Sequence, residues 1–218
     1  MPDVILILGG TKEAAELAAT LVREKPASRI ITSLAGRTRE PRPVAGELRI
    51  GGFGGVEGLV TYLREQAITH LIDCTHPFAR QISQNAKSAA KRAGIPLEVR
   101  QRPPWQRLPG DMWIDVLDIP GAIAAIPKHA RVLLALGSQH IAPFAARGDV
   151  HFLVRMVDPP AQRLPLVHHE LVLARPSADW QAEAQLLEHH AITHIVCRNS
   201  GGPGAYAKIE AAKNLSLP

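Results

Sequence analysis

Apolar positions along the chain fall into two patterns that take turns. Short runs rich in β-branched residues, among them VILIL and RIITSL, alternate with longer stretches whose apolar residues recur at helical spacing. In the first such stretch Ala14, Leu17, Ala18, Leu21 and Val22 lie on one stripe. The runs predict strands at Val4–Leu8, Arg29–Leu34, Glu47–Ile50, His70–Cys74 and Pro96–Val99. Helices are predicted between them at Lys12–Arg23, Val56–Glu65 and Ala79–Arg92. Such alternation points to an α/β fold with mostly parallel sheets.

The alternation breaks at RQRPPWQRLPGD, which begins at Arg100. Proline fixes φ and removes a backbone donor, so this stretch is neither helix nor central strand. Residues 101–111 are read as a linker between domains spanning 1–100 and 112–218. Beyond it, strands are predicted near Trp113–Val116, Val132–Leu136, His151–Val157, Glu170–Ala174 and His194–Cys197. The matching helices are Gly121–Ile126, Ile141–Ala146, Ala178–His189 and Ala205–Asn214. The halves also echo one another. AITHLIDCTHPFA from Ala67 parallels AITHIVCRNSGGPGA from Ala191, which suggests a duplication. Both echoed strands end in polar loops, and ligands of open α/β sheets gather beyond the carboxyl ends of the strands.

Composition narrows the classes of function. With 46% hydrophobic and 21% charged residues over 218 positions, the chain reads as an ordinary globular protein. No apolar run approaches the roughly 18 residues of a membrane span. No basic and then apolar leader is recognisable either, so the cytoplasm is the expected compartment and no membrane is an expected partner. Cys74 and Cys197 are too few for a disulfide framework and badly spaced for zinc. Adjacent histidines at His168–His169 and His189–His190 point in different directions on any regular element, so no metal site is expected. The formal charge of +5 comes from scattered basic residues, and aromatics make up only 4%. That balance argues against nucleic acid and suits an anionic small ligand.

Candidate chemistry sits at the strand ends. ILILGGTKEAAEL places Gly9, Gly10 and Thr11 between a strand and a helix, close to the G-x-G-x-x-G/A fingerprint of dinucleotide binding but with Thr11 in the second glycine's place. Either the turn cradles a phosphate at the helix N-terminus or it is a tight βα turn with a capping threonine. The second strand runs into AGRTRE, which puts Ser33, Arg37 and Thr38 where NAD-binding units carry an acidic residue. Arginine there favours the 2′-phosphate of NADP, unless Arg37 and Arg39 are merely solvated. GGFGG, holding Gly52 and Phe53, and CTHPFA, holding Thr75, His76 and Pro77, follow the third and fourth strands as further cofactor candidates. The richest stretch is RNSGGPGAYAKI. Its Arg198, Asn199, Ser200, Gly201, Gly202 and Lys208 suit a carboxylate or phosphate.

Taken together, LILGGTKEA, LAGRT, GGFGGVEGLVTYL, DCTHPFARQISQNA, the RPPW at Arg102–Trp105, LALGSQH and RNSGGPGAYAKIEAA resemble the precorrin-6A reductases of cobalamin biosynthesis. The resemblance covers nearly the whole chain. It implies two Rossmann-like domains with the active site in the interdomain cleft. It further implies NADPH-dependent reduction of the C18=C19 double bond of precorrin-6A to precorrin-6B. The tetrapyrrole is then the small-molecule partner, with transient contact to neighbouring pathway enzymes. Arg102, Ser138, Gln139, Arg198 and Lys208 become the basic and polar groups for its carboxylates. The proton donor is left open among His76, Tyr206, Lys208 and solvent. A cobalt-precorrin-6A reductase using NADH is the near alternative. An extended short-chain dehydrogenase would need Tyr-x-x-x-Lys, whereas Tyr206 is followed by Lys208. A non-catalytic nucleotide-binding protein is the remaining class. One departure stands out: family members continue past the final helix with another strand, while this sequence reads LSLP, so that edge strand is expected to be missing or cut.

Overall fold

The unbroken apolar runs of the first half become strands covered on both faces by helices. A computed structural model describes residues 2–36 and 43–218 of the chain, which divides after Arg102 into two compact units. In the first unit, β1 (Val4–Leu8), β2 (Arg29–Leu34), β3 (Glu47–Ile50), β4 (His70–Asp73) and β5 (Leu97–Val99) pair in parallel in the order β3-β2-β1-β4-β5. The helices are α1 (Lys12–Glu24), α2 (Gly55–Glu65) and α3 (Arg80–Ala93). Side chains alternate across the sheet, as the two-residue period of a strand requires. Leu6, Leu8, Ile31 and Leu71 pack under α2 and α3, while Ile5, Ile7, Ile30 and Ile72 pack with Ala14 and Ala18 of α1. The order turns back between β1 and β4, so the crevice of this doubly wound sheet opens at their carboxyl ends.

The second unit repeats the plan with four parallel strands. They are β6 (Arg131–Ala135), β7 (His151–Met156), β8 (His168–Leu173) and β9 (His194–Cys197), in the order β8-β7-β6-β9. Its helices are α4 (Ile119–Ala125), α5 (Trp180–His189) and α6 (Ala207–Asn214). Val132, Leu134, Phe152 and Val154 form one apolar layer with Phe144 and Ile141. Leu133 and Leu153 face Ala184 and Leu187 of α5 and Ala211 of α6 on the other side. At the outer edge of β9, the Ile195 N–H donates to the Pro218 carbonyl at 2.9 Å.

Three expectations are corrected. Trp113–Val116 is not a strand: Ile114 and Val116 stay 56% and 43% exposed, and the Trp113 carbonyl accepts from the Arg107 guanidinium rather than from a neighbouring strand. Alternation alone did not supply a sheet edge to join. The stretch predicted as a helix at Ile141–Ala146 is a 3₁₀ turn over Ala142–Ala146, too short between Pro143 and Gly148 to settle into α geometry. Likewise the last helix is preceded by a separate 3₁₀ turn at Pro203–Ala205 before α6 begins at Ala207.

The echoed AITH segments are built alike. Ala67 and Ala191 both stand at φ 49, each closing a helix, and Ile68 and Ile192 are buried directly after them. Thr69 N–H then donates to Val4 O, and Thr193 N–H to Arg131 O, which docks each connection on the start of its central strand. An exposed alanine in the left-handed region costs about 1 kcal/mol relative to glycine. Ala67→Gly and Ala191→Gly are each expected to raise stability by about that amount in urea unfolding. A lowered midpoint for both would mean that the alanine methyls make contacts that outweigh the backbone strain.

Candidate functional site

The loop after β1 is shaped by steric necessity. A Cβ at Gly9 would lie 2.9 Å from Thr32 Cγ2, and Gly10 stands at φ 105 with open space where its side chain would be. Thr11 caps α1: its Oγ1 accepts from Ala14 N–H at 3.1 Å and donates to Cys74 O at 2.8 Å. The threonine hydroxyl therefore joins the β1 and β4 loops. With its hydrogen turned to Cys74, the donors left for a phosphate are N–H groups at the start of α1.

The β4 loop is organised from beneath by Asp73, which sequence reasoning missed. Asp73 is 1% exposed, and its Oδ1 accepts from Thr75 N–H at 3.0 Å and from the Thr75 hydroxyl at 2.6 Å. His76 Nδ1 accepts from Phe78 N–H at 3.2 Å, a local turn contact, and Pro77 lines a small hollow with Thr11, Glu13, Cys74 and Thr75. Arg102 lines this first-unit hollow. It donates to both Glu13 oxygens at 3.0 and 3.1 Å. Burial alone would raise the Glu13 carboxyl, but hydrogen bonds from its own backbone and from Arg102 hold it below the usual range. Burial pushes the Cys74 thiol up to about 11.

At the ends of β2 and β3 the organising group is Arg49, also missed. Its Nη1 donates to Ser33 Oγ at 3.2 Å and to Gly51 O at 2.5 Å, and its Nη2 donates to Gly52 O at 2.9 Å. The guanidinium lies 3.8 Å from the Phe53 ring centroid, in cation–π contact. Ser33, Gly52 and Phe53 are thus brought together around one cation. The available signal was a lone arginine two residues before a glycine run, in ELRIGGFGG. Arg37 and Thr38 lie outside the described residues.

In the second unit the loop after β9 folds onto Trp105. Asn199 Oδ1 accepts from Trp105 N–H at 2.7 Å, its Nδ2 donates to Trp105 O at 2.9 Å, and Trp105 Nε1 donates to Gly202 O at 2.7 Å. Tyr206 meets the indole edge-on, and Lys208 Nζ stands 4.9 Å from the ring while donating to Ala205 O at 2.7 Å. Gly201 and Gly202 take positive φ to allow the bend. Burial first, and then the Asp111 and Glu210 carboxylates, push the Tyr206 hydroxyl up, so it is protonated at neutral pH. Arg198, Ser200 and Lys208 line a cavity of about 170 Å³ with Ala135, Leu136, Met156 and Arg155. Ser138 and Gln139 do not line it; they sit exposed on a 3₁₀ turn, with Gln139 Nε2 3.0 Å from His140 Nε2. Among the described residues no His, Cys, Asp and Glu cluster could hold a metal, and no helix is long and apolar enough to cross a membrane.

Comparison with known proteins places these features in context. The family model described as precorrin-6x reductase CbiJ/CobK matches residues 4–218. The precorrin-6A reductase of Rhodobacter capsulatus is 46% identical over 98% of this chain and 85% of its own length, and that of Mycobacterium tuberculosis is 42% identical over 98% and 85%. The cobalt-precorrin-6A reductase of Salmonella typhimurium is 28% identical over 98% of this chain and 84% of its own. A solved CobK precorrin-6A reductase superposes with a TM-score of 0.94 at 45% identity, covering 99% of this chain and 86% of that one.

With its pKa near 11, Cys74 carries roughly one thiolate per thousand molecules at pH 8. A thiol-specific disulfide reagent at that pH is expected to leave Cys74 unlabelled, as read by mass spectrometry, until the chain is unfolded. Prompt labelling of the native protein would contradict that environment.

Proposed function

The chain belongs to the precorrin-6x reductase family, and from that membership we propose that it reduces precorrin-6A to precorrin-6B at the C18=C19 bond, with NADPH as reductant. The observation that carries the cofactor half is the turn at Gly9–Thr11, lying at the reversal of strand order, with open space over Gly10. That geometry fits a pyrophosphate: the bare glycine backbone and the first N–H groups of α1 supply its donors. Open space likewise lies over Gly51 and Gly52, beside Ser33 and Phe53, where Arg49 holds the loop in place. Arg37 is assigned to the 2′-phosphate, because β2 ends without the carboxylate that would take a ribose hydroxyl. When bound, NADPH supplies the hydride that adds to one carbon of the double bond, and a proton completes the adjacent carbon.

On the substrate side, Arg198, Ser200 and Lys208 around one cavity support recognition of a polycarboxylate. Asn199 and Gly202 serve that loop by latching it to Trp105. Tyr206, kept protonated, has a proton to give; Lys208, His76 and solvent are the other sources. A cobalt-free substrate is favoured by the precorrin-6A reductases at 42–46% identity over the cobalt-precorrin-6A reductases at 24–28%.

Mixing the protein with precorrin-6A and NADPH is expected to change the macrocycle's absorption as NADPH is consumed. Consumption only with the cobalt-containing substrate, or only with NADH, would redirect the reading to the anaerobic counterpart. Arg37→Ala is expected to weaken NADPH binding roughly tenfold while leaving NADH binding unchanged in calorimetry. An unaltered preference would remove Arg37 from the cofactor site.

A further inference from the structure

The alternation of β7 carries an arginine into an apolar layer. Leu153 and Arg155 share the face covered by α5 and α6, where Leu153 packs among Leu133, Ala184, Leu187 and Ala211. Arg155 is nevertheless only 7% exposed, and its partner Glu183 on α5 is 3% exposed. Their contact is lopsided. Arg155 Nη1 donates to both Glu183 oxygens, at 2.8 and 2.7 Å, and Ser177 N–H adds a bond to Oε1 at 2.8 Å. Arg155 Nη2 is buried and has no hydrogen-bond partner. A guanidinium placed only to close an ion pair would present two parallel N–H groups to the two carboxylate oxygens. Here a single nitrogen spans both, and the other is left over.

The unused donor belongs to a residue that lines the cavity at the carboxyl ends of β6, β7 and β9, together with Lys208, Arg198 and Ser200. Lys208 is itself 4% exposed. A cationic donor withheld from water and from any acceptor is costly, and an oxyanion in the cavity removes that cost. We propose that Arg155, positioned by Glu183, forms with Lys208 a buried oxyanion subsite that takes one carboxylate of the substrate. This rests on the tetrapyrrole reading above and adds Arg155 to the residues that meet the substrate. The same reasoning explains why β7 breaks its apolar pattern at its last turn toward the cavity. Glu183 holds the guanidinium by one nitrogen, which leaves the other as the donor assigned to the ligand.

Two variants test the subsite. Arg155→Lys keeps the charge but removes the fork. Arg155→Met combined with Glu183→Met removes the pair together, so that no carboxylate is stranded in the core. In both, the KM for precorrin-6A is expected to rise at least roughly tenfold. The KM for NADPH and kcat should stay within about threefold of wild type. Independently of turnover, saturation-transfer NMR should detect succinate on the wild-type protein and lose it on the double variant. If the double variant does not fold, Arg155→Lys carries both readouts. Wild-type turnover with an unchanged KM in the variants overturns the subsite and leaves the functional reading standing. Succinate binding that is lost in the variant, with no turnover of precorrin-6A by wild type, supports the subsite and fails that reading. No turnover together with a succinate signal that is absent, or unaltered by the variant, overturns both.

Discussion

The hydroxyl of Thr11 locks together two loops of the first unit that the sheet only brings near one another. The β1–β4 ladder brings the loops after the two strands side by side, ending with the Cys74 N–H donating to Leu8 O at 3.0 Å, but it does not fix how the loops turn beyond that point. By donating to Cys74 O and accepting from Ala14 N–H, Thr11 fixes the start of α1, the entry to the β4 loop and the distance between them. Gly9 and Gly10 can then keep the turn bare, because its shape is held from one side. Asp73 does the corresponding work beneath the β4 loop through Thr75. The surface offered to a ligand is therefore mostly backbone, set in place by polar side chains that are themselves turned inward.

That division between holding and binding accounts for what was legible in the sequence. The central strands β1 and β6 could be read because they are apolar on both faces, and the helices because their stripes pack on those faces. Trp113–Val116 misled because its alternation resembles that of a strand, while pairing depends on a neighbour that a local pattern does not reveal. Glycine-rich loops announced themselves. The groups that shape them did not: Arg49 grips Ser33 from an adjacent strand, and Asp73 sits inside a run that reads as plain strand. Arg155 and Glu183 are 28 positions apart, and nothing local marks them as partners. Arg102 could be marked as a basic group from the sequence, but not its bond to Glu13 on α1, 89 positions away.

Both units resolve the same conflict between a buried sheet and a polar task. Each keeps its apolar layers at the middle of the strands. The buried strand charges, Asp73 and Arg155, lie toward the carboxyl ends, while the more exposed Arg29–Glu47 and Arg131–Glu170 pairs lie elsewhere on the sheets. Where charge goes deep it does so with partners, as Asp73 with Thr75 and Arg155 with Glu183. The echoed AITH connections serve the opposite end, closing each sheet near the amino ends of β1 and β6. The opposed ends of the sheets differ in kind: one is sealed by local backbone geometry, the other is kept open by polar side chains recruited from afar.

The Trp105 latch has a consequence in time. Asn199 reaches back 94 residues to grasp Trp105, and Gly202 is reached over 97. Closing so long a loop demands that the intervening strands already be in register, since the entropy of joining distant segments must be offset by contacts made between them. As the chain emerges from synthesis, Trp105 waits unpartnered through most of the second unit. The loop that holds Arg198 and Ser200 is thus among the last pieces to acquire its shape. Order at this site reports that the unit around it has finished folding.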